Sequence, residues 1–219
     1  MGSEMCIRDS TTCEDDAQIM LASNNGKAIR FSVNEIRVFK GRDSSGVRGI
    51  RLLGNDHVVS MSVIADETSE YVLSICENGY GKRTKVTDYR ETGRGGLGVA
   101  NIETSKRNGS VVASFTVFET DQIMLVTISG QIIRIRINGN EGDNIRITGR
   151  KTQGVRLFEL AEDEKVVSVA IVREDESENP DEIEMTDITD DDTSISGADD
   201  APSTKMEQDA TDENSETPE

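Results

Sequence analysis

The sequence contains no tryptophan, one histidine, three cysteines and three prolines, and aromatic residues make up 4% of it. Its first proline is Pro180, so strands before that point are not interrupted by a residue that lacks a backbone N–H. The cysteines are odd in number and show no metal-ligand spacing, which argues against a disulfide framework and is typical of a reducing cytoplasm. No run of 18 apolar residues occurs, so we expect no membrane-spanning helix.

The charge of the chain is divided unevenly. Residues 17–173 hold 22 Lys and Arg against 18 Asp and Glu, a net of +4, whereas residues 174–219 hold one Lys against 19 acids, a net of −18. The acidic segment has few large apolar residues, so we expect it to be disordered. Two roles fit it equally, a solvating tail or a polyanion that competes with nucleic acid for the basic body.

Residues 1–10 have no signal-peptide architecture, and we interpret them as a foreign leader on a chain that begins within a longer protein.

A phrase of the form Gly-Arg-x-x-x-Gly-Val occurs three times, starting at Gly41, Gly93 and Gly149. A Val-Val pair follows each phrase, and a short apolar run that ends in a turn glycine precedes it. These three landmarks keep one period of about 50 residues, which is typical of a propeller-like or solenoid array.

Each repeat is predicted to form a blade of four short strands. Hairpin turns are predicted at Asn25-Gly26, Asn78-Gly79 and Ser129-Gly130, because such pairs adopt the positive φ that a tight turn needs. A third strand opens with Gly-Val, and a fourth contains Val-Val. The fold class is therefore all-β, with three four-stranded blades and an open side that proteins normally cover or close. The predicted divisions are a leader at 1–14, blades at about 15–66, 67–118 and 119–173, and the tail at 174–219.

The repeats resemble a known family. Asn78-Gly79-Tyr80-Gly81-Lys82-Arg83-Thr84, the Gly41–Leu52 phrase and Gly149-Arg150-Lys151-Thr152-Gln153-Gly154-Val155 look like the last three blades of the C-terminal domain of the DNA gyrase A protein. The resemblance covers about residues 15–173, and the acidic tail is also similar.

The resemblance implies a six-bladed β-pinwheel that binds and wraps double-stranded DNA around its rim in a bacterial type IIA topoisomerase. It implies that the catalytic tyrosine lies in another domain, so this fragment is not an enzyme by itself. It also implies partners in the remainder of the gyrase A protein and in the gyrase B protein, as an A2B2 assembly in the cytoplasm at the nucleoid. No cofactor is expected in this fragment, since ATP and Mg²⁺ act through other regions of that assembly.

Basic residues recur at equivalent places in the repeats, and equivalent places in a disc of blades share one rim. Arginine and lysine spaced around a rim can hold bent DNA by its phosphates without reading bases. The alternative is that they are ordinary surface residues that protect strand edges. The candidate DNA-binding residues are Lys27, Arg30, Arg42, Arg48, Lys82, Arg83, Lys85, Arg94, Arg134, Arg136, Arg150 and Lys151.

Other motifs carry weaker hypotheses. Gly93–Gly98 satisfies G-x-G-x-x-G, but a strand-like segment follows it where a dinucleotide site needs a helix. This loop faintly resembles the gyrase box, yet it lacks the leading basic residues and lies in the wrong blade. The single His57 is expected to be a surface residue and not a catalyst, Asp190–Asp192 shows no ligand cage, and Tyr80 and Tyr89 are interpreted as packing or rim residues.

Two other functions stay open from the sequence. The related domain of the topoisomerase IV A protein shares the Gly-Arg loops. The second function is that of a propeller that binds proteins instead of DNA. A WD-type array is disfavoured by the missing tryptophan, and the period suits a kelch-like array better.

Overall fold

The computed structural model describes residues 10–41, 44–139, 145–161 and 163–173. The chain divides into two units, Met1–Glu176 and Ser177–Glu219, and all described residues belong to the first. Residues 1–9, which form most of the predicted leader, and residues 174–219, the predicted tail, lie outside the described residues. No helix in the described ranges is long and apolar enough to cross a membrane.

The predicted all-β class is confirmed. Two short 3-10 helices, Val33–Glu35 and Val86–Asp88, follow the second strands of the first two repeats. The strands in chain order are β1 (Gln18–Ser23), β2 (Lys27–Ser32), β3 (Val58–Ile64), β4 (Tyr71–Cys76), β5 (Tyr80–Lys85), β6 (Val99–Ala100), β7 (Val111–Val117), β8 (Gln122–Thr127), β9 (Ile132–Arg136), β10 (Val155–Arg156) and β11 (Val166–Val172).

The three predicted hairpins are confirmed. β1 pairs with β2, β4 with β5 and β8 with β9, each pair antiparallel. The turn glycines have φ values of 77° at Gly26, 75° at Gly79 and 83° at Gly130, a region that glycine enters without steric cost. The period read from these glycines therefore marks the same turn in every blade.

The Gly-Val strand does not stay with its own repeat, and here the prediction was wrong. β6 comes from the second repeat but pairs with β2 of the first, and β10 comes from the third repeat but pairs with β5 of the second. The sheet orders are β3-β1-β2-β6 and β10-β5-β4-β7. Each of the first two blades is thus completed by a strand from the repeat that follows it.

Among the described residues, the third blade has three strands, in the order β11-β8-β9, and not the predicted four. The strand exchange accounts for this difference, because the fourth strand of each of the first two blades comes from the repeat that follows it. At the other end, the structure assigns no strand to Gly46-Val47-Arg48, the first repeat's Gly-Val segment.

The blades pack side by side through their Val-Val strands. β3 lies next to β7, and β7 lies next to β11. The Ser60 hydroxyl donates to the carbonyl of Ser114, and the Thr116 hydroxyl donates to the carbonyl of Val63 across 3.4 Å. These strands are therefore innermost, and the exchanged strands β6 and β10 form the outer edge of their blades.

Two apolar layers hold the blades together. Met20, Ile64, Val72 and Val86 are buried between the first two blades, and Leu73, Ile75, Ile123 and Leu125 are buried between the second and the third. Fully burying one such side chain contributes about 1.5–3 kcal/mol. The strands alternate the face they present, so neighbouring residues Val72 and Leu73 belong to different layers.

Candidate nucleic-acid interface

The twelve predicted DNA-binding residues do not share one environment. Arg42 lies outside the described residues, and Arg150 is half-buried. Arg30, Lys82 and Arg83 are buried, with 4%, 0% and 3% of their surface exposed. The exposed members are Lys27, Arg48, Lys85, Arg94, Arg134, Arg136 and Lys151.

Arg30 does not lie on an exposed rim as predicted; it joins two blades. From β2 its Nη1 donates to the backbone carbonyls of Val86 at 3.1 Å and Tyr89 at 3.0 Å, both in the second repeat. Its Nε donates to Gln18, and its second terminal nitrogen pairs with Glu67. A guanidinium engaged in this way has no face left for a phosphate in this structure.

Arg83 occupies the same position in the second repeat and is likewise buried instead of exposed. Its Nε donates to the carbonyl of Ile145 at 2.7 Å in the third repeat, and its guanidinium lies 5.2 Å from the ring centre of Tyr71. Glu119 provides an ion pair at 3.7 Å. Arg134 is the corresponding residue of the third repeat, and it is exposed because the described chain has no following blade; its Nε donates to Gln122 at 2.7 Å.

Lys82 is the third residue that the structure moves from the rim to the interior. Its Nζ donates to the carbonyls of Gly149 at 2.7 Å and Arg150 at 2.8 Å, which belong to the Gly-Arg phrase of the third repeat. Burial, and to a smaller extent the nearby positive charge of Arg150, lowers the pKa of Lys82 from 10.5 to about 8. Ile29 and Ile133 occupy the corresponding positions of the other repeats.

The arginine of the Gly-Arg phrase holds consecutive repeats together. The Nη1 of Arg94 donates to the carbonyl of Arg48 at 3.2 Å, and the Nη1 of Arg150 donates to the carbonyl of Ala100 at 3.2 Å. Arg48 and Ala100 each directly follow a Gly-Val valine, so the two contacts are the same contact one repeat apart. Arg94 remains exposed and Arg150 half-exposed.

The Gly-rich loop that begins at Gly93 leads into β6, the strand that completes the first blade. Gly98 has a φ of 71°, and a Cβ added there would lie 2.4 Å from the carbonyl oxygen of Ala28. The exchanged strand β6 follows it, and not a helix, so the dinucleotide interpretation fails in structure as it did in sequence. Gly154 makes the same close approach to the Gly81 carbonyl, at 2.7 Å.

Three of the exposed basic residues, Lys27, Arg48 and Lys151, lie on the outer side of the blades. Lys27 and Lys151 line one surface pocket together with Ala100 and Thr104, although the two lysines come from the first and third repeats. Strand exchange brings them together, because β6 lies beside Lys27 and the third repeat's Gly-Arg loop lies over Ala100. Arg48 is exposed in the equivalent outer segment of the first repeat.

Two further arginines form a cluster that the sequence interpretation missed. The guanidiniums of Arg107 and Arg156 lie 4.8 and 5.7 Å from the ring centre of Tyr80, and Arg156 Nη2 donates to the Tyr80 hydroxyl at 3.3 Å. Hydrogen bonds from Arg107 and then Arg156 lower the pKa of Tyr80. A signal for Arg156 was present, since it directly follows a Gly-Val phrase as Arg48 does; Arg107 lies in a turn with no repeat signal.

Tyr89 lies in the interior of the blades and not on the rim. Tyr89 is buried, and its hydroxyl donates to Oδ1 of Asn101 at 2.5 Å. Burial raises the pKa of Tyr89. The packing interpretation of Tyr89 is therefore confirmed, and its buried hydroxyl is held by the blade interior.

Three antiparallel blades, the first two of them completed by an outer strand from the following repeat, define a β-pinwheel. The family model described as the DNA gyrase C-terminal domain, beta-propeller, matches residues 17–65, 70–117 and 121–173. The DNA gyrase A protein of Rickettsia bellii is 34% identical over 223 residues, covering 81% of this chain and 24% of that protein. The corresponding protein of Klebsiella oxytoca is 43% identical over 173 residues, covering 79% of this chain and 19% of that protein.

Solved structures agree with this comparison. A DNA gyrase A C-terminal domain aligns with a TM-score of 0.62 at 29% identity, covering 71% of this chain and 50% of that domain. The C-terminal domain of a DNA topoisomerase IV aligns with a TM-score of 0.65 at 26% identity, covering 72% of this chain and 47% of that one. The chain belongs to the DNA gyrase C-terminal domain family, and it spans about a quarter of the length of the Rickettsia relative.

Proposed function

We propose that this chain is the DNA-wrapping region of a gyrase A protein and supports ATP-dependent negative supercoiling. The observation that carries the proposal is the outer side of the pinwheel, where Lys27, Arg48 and Lys151 from three consecutive repeats are all exposed. DNA presents regularly spaced phosphates, and basic side chains set at repeat intervals along a curved surface can hold it in a bend.

The proposed chemistry is electrostatic. The described basic residues include paired and buried arginines that shape the blades and exposed ones that meet the phosphates. Strand cleavage, ATP and Mg²⁺ belong in this proposal to other regions and partners, namely the remainder of the gyrase A protein and the gyrase B protein, in the bacterial cytoplasm at the nucleoid. This region contributes the path of the DNA and no bond chemistry.

A topoisomerase IV protein is the second candidate, and one observation favours it. The topoisomerase IV domain aligns slightly better in structure, at a TM-score of 0.65 against 0.62. The gyrase assignment is preferred because gyrase A relatives match at 34–43% identity, well above the 26% of that structure.

Replacing Lys27, Arg48 and Lys151 together by alanine is expected to weaken binding to duplexes of every sequence. Each lost phosphate contact should reduce the slope of log K against log salt by about 0.9, so the triple variant should lose about 2–3 units of slope. Fluorescence anisotropy on two unrelated duplexes, measured across several salt concentrations, gives both quantities.

The matched control for this triple variant replaces Lys106, Lys165 and Arg173 by alanine. These three residues are also exposed, and their loss changes the net charge equally. Lys165 and Arg173 flank β11, and Lys106 lies in the turn that precedes β7, so the control should keep most of its affinity and slope. Equal losses in the two triple variants would mean that net charge and not the outer surface binds DNA.

Truncation after Arg173 is expected to tighten DNA binding at low salt. It removes a net charge of −18 from a body of +4. A tethered polyanion has a high effective concentration beside the basic surface and competes with DNA, and salt screens that competition. Titrations of both forms at two salt concentrations should show a gap in affinity that shrinks as salt rises; equal affinities in low salt would leave the tail a solvating role.

A further inference from the structure

The outer side of the second blade carries two arginines on one buried tyrosine. Tyr80 is 7% exposed, and the guanidiniums of Arg107 and Arg156 lie 4.8 and 5.7 Å from its ring centre. Arg156 Nη2 also donates to the Tyr80 hydroxyl at 3.3 Å. Both arginines are exposed, and each has five N–H donors, more than the tyrosine hydroxyl can accept. Two cations are therefore held close together with donors left for a ligand.

The backbone holds both arginines in place. Arg156 lies in β10, the outer edge strand of the second blade, and is paired with Tyr80 of β5. Arg107 lies in the turn before β7, where the side-chain amide of Asn78 donates to the carbonyls of Lys106 and Arg107 at 3.3 and 3.1 Å. A ligand that needs both guanidiniums meets them already placed, which lowers the entropy cost of binding.

The nearby carboxylates do not neutralise the two arginines. Glu159 lies 3.5 Å from Arg156, but both side chains are mostly exposed, and such ion pairs contribute little. Glu164 lines the same groove, yet its carboxylate accepts the Ser129 N–H at 2.9 Å, in the hairpin turn of the third blade. Within the part of the chain that the structure describes, Arg107 has no carboxylate at ion-pair distance. The groove therefore favours an anion.

This groove is the second-blade counterpart of the pocket that Lys27 lines in the first blade. Tyr80 pairs with Arg156 just as Lys27 pairs with Ala100 one repeat earlier. The first blade therefore has its cation on the second strand, and the second blade has it on the strand that comes from the following repeat. The two sites are successive positions on one outer surface, so an anion that is extended along this surface can reach both.

We propose that Arg107 and Arg156 form a clamp that binds one phosphate group of the DNA backbone on the second blade, with Tyr80 as the positioning residue. The clamp rests on the proposed function and extends it, since neither arginine is among the three residues that carry it. Guanidinium forks match the oxygens of a phosphate group, and the face of the tyrosine ring attracts the guanidiniums. Phosphate contacts carry no sequence information, so the clamp binds all duplexes alike.

Arg107→Ala combined with Arg156→Ala is expected to lower the affinity of the 219-residue chain for duplex DNA about tenfold in low salt. The slope of log K against log salt should fall by about 0.9, the contribution of one phosphate contact. Arg90→Ala combined with Arg173→Ala is the matched control, because these arginines are also exposed and follow the ends of β5 and β11 that are remote from the hairpin turns. Circular dichroism checks that both variants fold, and equal losses of affinity in the two would overturn the clamp.

The ring of Tyr80 reports directly on occupancy, because the arginines that bind the phosphate also lie on the ring. The chain has three tyrosines, so NMR of ¹³C-tyrosine-labelled protein gives few signals, and Tyr80→Phe assigns that of Tyr80. Duplex DNA is expected to shift the Tyr80 signal but not that of the buried Tyr89, and to shift neither in the Arg107→Ala, Arg156→Ala variant.

Inorganic phosphate, added without DNA, is the second arm of the NMR experiment. A Tyr80 shift with inorganic phosphate but not with the duplex would mean a site for small phosphate ligands, and no shift with either would mean that the arginines serve Tyr80 alone. Either result overturns the clamp, while salt-dependent DNA binding by the wild-type chain would leave the proposed function standing. A wild-type chain that binds no DNA at all would overturn both.

Discussion

Replacing Arg30 by alanine is expected to lower the free energy of unfolding of the three-blade unit by about 3 kcal/mol, because hydrogen bonds from a buried charged group contribute about 1.5–3 kcal/mol each. The substitution removes donors from the carbonyls of Val86 and Tyr89, two residues that are themselves buried between the first two blades. It also strands Gln18 and Glu67 without their guanidinium partner. Urea unfolding followed by circular dichroism measures the change.

Arg134→Ala is the matched control, because it is the same substitution at the same position of the third repeat. Arg134 is exposed and bonds to Gln122 within its own blade. Its loss should cost less than about 0.5 kcal/mol, as is usual for exposed positions. Both variants are measured at the same protein concentration. If the two substitutions destabilise equally, the contact of Arg30 with the next blade adds nothing to stability.

The hairpins and their period could be predicted because their signals are local. A turn glycine with positive φ, such as Gly26, is dictated by its own backbone, and the strands on both sides alternate over a few residues. The repetition of that local signal three times fixed the number of blades. No knowledge of distant contacts was needed for this part of the fold.

Strand exchange could not be predicted in the same way. β6 and β10 are two residues long, and a Gly-Val segment has the same sequence whether it pairs within its repeat or with the preceding one. The choice depends on a close approach, that of Gly98 to the carbonyl of Ala28, which exists only in three dimensions. Predicting four strands in every blade followed from assigning each segment to its own repeat.

Three residues predicted to be exposed and DNA-binding are buried, for two different physical reasons. Lys82 aligns with Ile29 and Ile133, so the repeat itself indicates a core-facing position in spite of the basic side chain. Arg30 and Arg83 offered no such signal, because Arg134 has the same type and position and is nevertheless exposed. What separates them is the presence of a following blade, which is a property of the assembled array and not of the segment.

The buried Lys82 makes the free energy of unfolding depend on pH in the alkaline range. Its side chain is fully buried in β5, with the two carbonyls of the Gly-Arg phrase as hydrogen-bond partners and no carboxylate among them. Burial therefore disfavours the charged form and lowers the pKa of Lys82 to about 8, below the 10.5 of an exposed lysine. Between these two values the unfolded chain binds more protons than the folded chain does, so stability rises with pH in this window. Below pH 8 Lys82 is protonated in both the folded and the unfolded chain. The full cost of burying its charge then lowers the free energy of unfolding.

Compared with Lys82→Met, the wild-type chain is expected to gain about 1 kcal/mol of unfolding free energy between pH 7 and pH 9, and about 3 kcal/mol once the pH exceeds 10.5. Cys76 acts in the opposite direction, since burial raises its pKa from 9.0 to about 12, but it is present in both proteins and largely cancels in the difference. Lys85→Met is the matched control, because Lys85 is an exposed lysine of the same strand, and its difference from wild type should not change with pH. Urea titrations at pH 7, 8, 9 and 10 provide the comparison. A difference between wild type and Lys82→Met that stays flat across this range would mean that Lys82 keeps an ordinary pKa and that its amine is hydrated in solution.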